Sequence, residues 1–304
     1  MYDAIVIGGG PAGLAAALTL GRAHRKTLVL DSGDGRNAPA EAMHNFLTRD
    51  GTPPAEVRAI GRAQLGAYPA VTVVDALAVS VATVSGGYEV RLADDRVEYA
   101  RRLLLASGLV DILPPVDGLA EIWGRSALHC PYCHGFEVSD RPIAVLGGDP
   151  DRIHLALHLS RFSSDVVLCT NGTEIEETHL ATRTAPVTRL VSTGGKLEAI
   201  EFADGTALAR DAVFVKTSWR QRSGLPAQLG CATFPDGTLE VNDFGLTSVP
   251  GIYAAGDMAR RASQPGPMAA VIAAAASGTI AAVALDKDLL GADFDLPNPL
   301  AAKA

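Results

Sequence analysis

The sequence predicts an α/β fold built from two Rossmann-like, doubly wound domains, the first interrupted by the second. Two strand–turn–helix units carry this prediction, one opening at residue 3 and the other at residue 142. A late strand and helix, from residue 249, return the chain to the first domain. At 304 residues the chain exceeds one typical core and suits two domains.

The first unit begins with the apolar run 3–7 and continues through Gly8-Gly9-Gly10-Pro11-Ala12-Gly13 into a helical pattern ending near Arg22. A buried strand follows at Thr27-Leu28-Val29-Leu30 and ends in Asp31-Ser32. Gly8, Gly10 and Gly13 hold the G-x-G-x-x-G spacing. The first allows the tight turn, the second lets backbone approach a pyrophosphate, and the third lets helix pack closely on strand. Helix N-terminal amides then face phosphate, and Asp31 is placed to accept from ribose hydroxyls. A dinucleotide site is therefore expected here.

Residues 71–105 alternate short strands with turns and close on Ala106-Ser107-Gly108. Pro114-Pro115 marks a linker. The second unit starts at Pro142-Ile143-Ala144-Val145-Leu146-Gly147-Gly148, with a further strand at Asp165-Val166-Val167-Leu168. Val249 to Asp257 reads as a strand and turn, with a helix from Met268. The expected boundaries are 1–114 and 243–304 for the discontinuous first domain and 115–242 for the inserted one.

The second glycine turn departs from the first. Gly147 takes the first glycine position, Asp149 the second and Arg152 the third. A carboxylate at the second position opposes a pyrophosphate by charge and bulk. After the next strand the chain continues Cys169-Thr170-Asn171-Gly172-Thr173-Glu174, without the cation a 2′-phosphate needs. Binding of NADPH is expected to be compromised, and a reshaped loop that still binds it is the alternative.

Between the two units lies Cys130-Pro131-Tyr132-Cys133-His134-Gly135. A CxxC near βαβ units reads as a redox dithiol. A zinc half-site would need two more ligands, and Cys169 and Cys231 stand alone as packing residues, so no metal is expected. His134, with an ordinary pKa near 6.5, suits removal and return of a thiol proton, and His129 is a second candidate for holding a thiolate.

The opening glycine motif, Asn45-Phe46, Ala106-Ser107-Gly108, the CxxC and Ala254-Ala255-Gly256-Asp257 together resemble low-molecular-weight thioredoxin reductases, in the family's order and over nearly the whole chain. That resemblance implies FAD as cofactor. Asp257 would then meet the pyrophosphate–ribitol region and Asn45 the flavin ring. Arg36 and Asn37 would lie at the adenosine end, and Ala76 would meet the adenine through its backbone. Where the family commonly has Arg-Gln-Ala, this chain has Ala269-Ala270-Val271, so backbone amides alone would serve there. The resemblance makes Cys133 the thiol against the flavin and Cys130 the exchanging thiol. His134 stands where the family usually has Asp.

The hexapeptide further resembles the FAD-dependent dithiol oxidases of gliotoxin- and holomycin-type disulfide biosynthesis. This implies a small-molecule dithiol as substrate, O2 as acceptor and H2O2 as product. An NADPH-dependent thioredoxin reductase and a non-catalytic FAD-binding redox sensor are the other readings. Net charge is −8, which points away from nucleic acid and anionic membranes. The apolar stretch from Met268 to Leu285 is Ala-rich and interrupted by Ser277-Gly278, reading as a buried helix. A cytoplasmic homodimer is expected, the dimer from the resemblance alone.

Overall fold

The computed structural model describes residues 1–297, so the last seven residues of the expected first domain lie outside the described residues. Contacts divide the chain into two compact units. The first comprises Met1–Arg36, Ala55–Val110 and the chain from Trp219 onward; the second comprises Asn37–Pro54 and Asp111–Ser218.

In the first unit, strand β1 (Tyr2–Ile7) leads into helix α1 (Pro11–Arg22) and strand β2 (Thr27–Asp31). β1 lies between β2 and the strand Val97–Leu105, parallel to both, with Ile7 opposite Leu30 and Leu105. Strand β3 (Val71–Asp75) extends the sheet beyond β2, and Ile252–Ala254 pairs with the far end of Val97–Leu105. An antiparallel meander, Ala78–Val84 and Gly87–Leu92, adds to the other end of that strand.

Alternate residues of β1 feed two cores. Ala4 and Val6 pack with α1 and the last helix, while Ile5 and Ile7 pack toward the meander and residues 225–259. Burial on both faces explains an apolar run with no polar alternation. The last helix, Val271–Phe294, crosses α1 at Gly278, where a Cβ would run into the Ala12 carbonyl. Arg25 fastens its C-terminal half to Asp286 at 2.6 Å and Asp293 at 2.8 Å. The helix starts at Val271 rather than the expected Met268, because Ala270 is extended (φ −136°). Among the described residues no helix is long and apolar enough to cross a membrane.

The second unit holds a parallel sheet in the order Ala181–Arg183, Val166–Cys169, Ile143–Leu146, Ala212–Phe214, Ala127–Leu128. The helix Pro150–Leu159 packs on it, and a three-stranded antiparallel sheet (187–209) completes the unit.

The observed division differs from the expected boundaries in three places, the smallest being residues 111–114, which fall in the second unit. Residues 219–242 belong to the first unit because Trp219, Leu225, Leu229, Cys231 and Leu239 pack into the core beneath Ile5 and Leu103. Residues 37–54 belong to the second: Pro39 and Ala40 fit against Gly124, and His44 faces Glu137. None of these displacements leaves a mark in local composition.

Candidate functional site

The glycine turn of the first unit is shaped by backbone crowding. Gly8 has φ +118°, and a Cβ there would strike the Ala106 carbonyl; a Cβ on Gly13 would strike the carbonyl of Gly8. Gly10, by contrast, faces open space, with no atom within 4 Å of a Cβ built there. Neither Gly10 nor Ala270 caps its helix with a side chain, so the first amides of α1 and of the last helix keep their donors. Gly256, at φ +80°, turns the chain beside that helix, and Ser277 Oγ accepts its N–H at 3.0 Å. A cleft of about 270 Å³ borders Gly256, Ala255, Met268 and Ser277. Open backbone with unspent N–H donors is the chemistry a pyrophosphate requires, so the residues fit a bound dinucleotide.

The expected ligands of that group are placed as follows. Asp31 closes β2, accepts from Gly33 N–H at 3.0 Å, and pairs with Arg62 Nη1 at 3.2 Å. Arg62 also reaches Asp75 at 2.7 Å. Sequence reasoning missed this cation, because nothing in the spacing ties residue 62 to the end of β2. Ser32 is exposed beside Asp31, and Ala76 N–H donates to the Asp31 carbonyl at 3.0 Å. Pro11 and Ala12 open α1; Ala106 N–H donates to Ile7 at 2.8 Å. Ser107 Oγ contacts the Met258 sulfur at 3.6 Å, and Gly108 takes φ +72°. Arg36 and Asp257 form an ion pair at 2.9 Å, which joins the two ends of the unit. Asn37 and Asn45 fall in the second unit, where Asn45 N–H donates to Asp50 at 2.7 Å.

The second glycine turn repeats the backbone of the first but fills it with its own side chains. Gly147 also has φ +118°. Asp149 is the N-cap of Pro150–Leu159 and accepts the Asp151 N–H at 3.1 Å, so a carboxylate occupies one of the amides an anion would use. The Arg152 stem lies over Gly147, its Cγ 2.9 Å from a Cβ built there. Its Nε is buried without a partner. Lys216 stands 3.2 Å from Asp151 and 3.7 Å from Asp149. Arg183 lies on the adjoining strand, yet it pairs with Asp204 at 3.4 Å and stacks 4.9 Å over Phe202.

Cys130 and Cys133 are joined in a disulfide across the short helix Pro131–His134. Gly135 closes the turn by donating to Pro131 at 2.8 Å, and a Cβ on it would strike that same carbonyl. Tyr132 and Phe136 are exposed on either side. The Tyr132 ring meets His158 edge-on at 5.2 Å, and His158 lies 5.9 Å from Phe162. His129 stacks on Trp123 at 5.5 Å.

His134 presents a buried Nε2 with no partner. Desolvation pushes its pKa below the ordinary value, and the nearby His44 adds to that; the Glu137 carboxylate and the Ala42 carbonyl pull the other way. A neutral imidazole at neutral pH can take a thiol proton. His44 meets the His134 ring edge-on at 6.1 Å, and its Nδ1 faces Glu137 at 3.3 Å and Asp50 at 3.7 Å. This neighbourhood was also missed, because no spacing links residue 44 to residue 134. Cys169 and Cys231 are buried, and desolvation raises both thiols, Cys169 to about 11, so neither is a nucleophile at neutral pH. Among the described residues no group of three His, Cys, Asp or Glu side chains is arranged as metal ligands.

Residues 2–277 match the family described as pyridine nucleotide-disulphide oxidoreductase. The thioredoxin reductase tcpT of Claviceps purpurea is 33% identical over 277 residues, covering 84% of this chain and 86% of tcpT. The thioredoxin reductase aclD of Aspergillus oryzae is 34% identical over 282 residues, covering 84% and 88%. Among solved structures, HlmI superposes with a TM-score of 0.89 at 38% identity, covering 97% of this chain and 94% of HlmI. The putative thioredoxin reductase TrxB from Bacillus anthracis gives 0.89 at 32% identity, covering 97% and 100%. Two glycine turns on parallel sheets, a CxxC disulfide between them and these likenesses agree: the chain belongs to the pyridine nucleotide-disulphide oxidoreductase family, as a thioredoxin-reductase-like flavoprotein oxidoreductase.

Proposed function

We propose that this protein is an FAD-dependent dithiol oxidase that closes an intramolecular disulfide in a small-molecule dithiol. Balanced overall, R(SH)2 and O2 become RS2 and H2O2. The single observation that carries the direction of electron flow is the second glycine turn, where Asp149 caps its own helix and Arg152 covers Gly147. Residues so placed oppose a pyridine nucleotide, and electrons must then enter from thiols.

In this reading the substrate approaches Cys130 across a surface carrying Tyr132 and Phe136. His134 takes the proton of the first thiol on Nε2. The substrate thiolate attacks Cys130 Sγ, the Cys130–Cys133 bond breaks, and Cys133 leaves as a thiolate. The substrate's second thiolate attacks the substrate sulfur of the mixed disulfide, which releases RS2 and the Cys130 thiolate. Bound FAD supplies the two-electron chemistry between the reduced cysteine pair and dioxygen. Gly8, Gly10, Gly13, Asp31, Ala76, Ala106 to Gly108, Gly256, Asp257 and the amides at Ala269 to Val271 are the residues that would hold it. On the family resemblance we also take the protein to be a cytoplasmic homodimer, which sedimentation velocity of the holo-protein checks for its assembly state.

The names of the relatives tcpT and aclD, both thioredoxin reductases, favour a second reading, an NADPH-dependent thioredoxin reductase with electrons running the other way. An anaerobic titration separates the two. Bleaching of the flavin by a dithiol but not by NADPH is expected, and stoichiometric bleaching by NADPH would overturn the oxidase reading.

A further inference from the structure

We propose that His44, with Glu137 and Asp50, is the proton exit of the dithiol site, passing protons from His134 to solvent. The inference rests on the reading of His134 as the thiol base. The exchange as written leaves Cys130 and Cys133 as thiolates, so both thiol protons leave the dithiol site and two are taken up again from solvent when dioxygen becomes H2O2; one imidazole holds one at a time. After the first thiol has been deprotonated and the mixed disulfide has formed, His134 carries a proton. The second thiol cannot give up its own until His134 has been emptied.

The surroundings of His134 offer one graded route. His134 Nε2 is buried and without a partner. The His44 ring stands edge-on to the His134 ring with centroids 6.1 Å apart, so a small ring rotation or a single water would complete the path between them. Nδ1 of His44 then faces Glu137 Oε1 at 3.3 Å and Asp50 Oδ1 at 3.7 Å. Side-chain exposure rises along the series, from 17% at His44 to 37% at Glu137 and 68% at Asp50. Exposed carboxylates exchange protons with water freely.

The loop that carries His44 is closed, not loose. Met43 N–H donates to Thr52 at 3.0 Å and Gly51 N–H returns to Met43 at 2.9 Å. Asp50 also takes the Asn45 N–H at 2.7 Å, with Asn45 at φ +60°. A histidine needed only to fill space would not require two carboxylates on one ring nitrogen. A merely structural His44 and a proton-passing His44 differ in one respect: only the second can be replaced by a dissolved base.

The test uses the oxidised full-length protein and dithiothreitol under anaerobic conditions in dilute buffer. Acid quenching and mass spectrometry follow the disulfide, the mixed disulfide on Cys130 and the free dithiol in time. In His44→Phe the mixed disulfide is expected to form within a few-fold of the wild-type rate and then persist at least tenfold longer. Added imidazole should shorten its lifetime in proportion to concentration, leaving the wild type unaffected. His44→Gln, which keeps an amide donor toward Glu137 but cannot carry a proton, should show the same persistence and rescue in a folded protein. Resolution at the wild-type rate in both variants, or a slow resolution indifferent to imidazole, would overturn the proposal. Dithiothreitol opens the disulfide whatever serves the flavin, so NADPH bleaching would sink the oxidase reading and leave this result standing.

Discussion

Replacing Asp149 by Ala should act on stability and on nucleotide affinity in opposite senses. The carboxylate caps Pro150–Leu159 through the Asp151 N–H, so its loss costs about 1 kcal/mol of folding free energy. The Lys216 contact at 3.7 Å is exposed and adds little. For a unit of this size that is a fall of about 4 °C in Tm, read by calorimetry. The same carboxylate repels a pyrophosphate. A unit charge at about 4 Å is worth ~4 kcal/mol at an effective dielectric near 20 and ~1 kcal/mol in water. With 43% of its side chain exposed, Asp149 lies between these limits. Taking ~2 kcal/mol, the residual affinity for NADPH should rise roughly 30-fold in Asp149→Ala, measured by titration calorimetry. Efficient reduction of the flavin by NADPH should still be missing, because the Arg152 stem continues to cover Gly147. The reasoning fails if the wild type binds NADPH at micromolar concentration and the substitution leaves that affinity where it was.

Further outcomes follow from other parts of the molecule. Gly278→Val should lose about 1–3 kcal/mol in urea unfolding, because its Cβ meets the backbone carbonyl of Ala12 at the crossing of α1 and the last helix. Cys133→Ser should retain flavin while dithiol-dependent oxygen uptake falls to background in an oxygen electrode. After reduction, native alkylation at pH 8 should modify two cysteines and spare Cys169 and Cys231, both buried with raised pKa; mass spectrometry counts them. For His134, the folded pKa is depressed, so below about pH 6.5 the unfolded chain binds more protons than the folded one. Stability therefore falls as pH drops through that value, and His134→Gln should flatten the acid limb of a Tm-against-pH series; an unchanged limb contradicts the burial argument.

Much of the fold was legible because it is written in local patterns. The unbroken apolar run of β1 and the glycines after it mark a strand buried on both faces and a turn crowded by Ala106. The CxxC announced its own pairing. What was not legible is long-range. Residues 219–242 join the first unit through the core beneath Ile5, and 37–54 join the second through Gly124 and Glu137. Arg62 reaches Asp31 across thirty-one positions, and His44 reaches His134 across ninety. Such partners depend on where distant segments land, and no periodicity encodes that.

The two glycine turns isolate the difference on which the proposed direction of electron flow rests. Gly8 and Gly147 share φ +118°, so the backbone turn itself is the same in both units. The difference lies in the side chains at two positions. Gly10 leaves open space where Asp149 places a carboxylate, and Gly13 meets the Gly8 carbonyl where Arg152 lays a stem over Gly147. A helix N-terminus offers a fixed set of unpaired amides. Once a residue of the chain accepts them, a phosphate must displace that residue before it can bind, and it then faces the displaced charge. The second turn thus opposes an anionic cofactor while keeping the glycine conformation of the first. In the proposed reaction the CxxC that the second unit carries therefore draws its electrons from thiols.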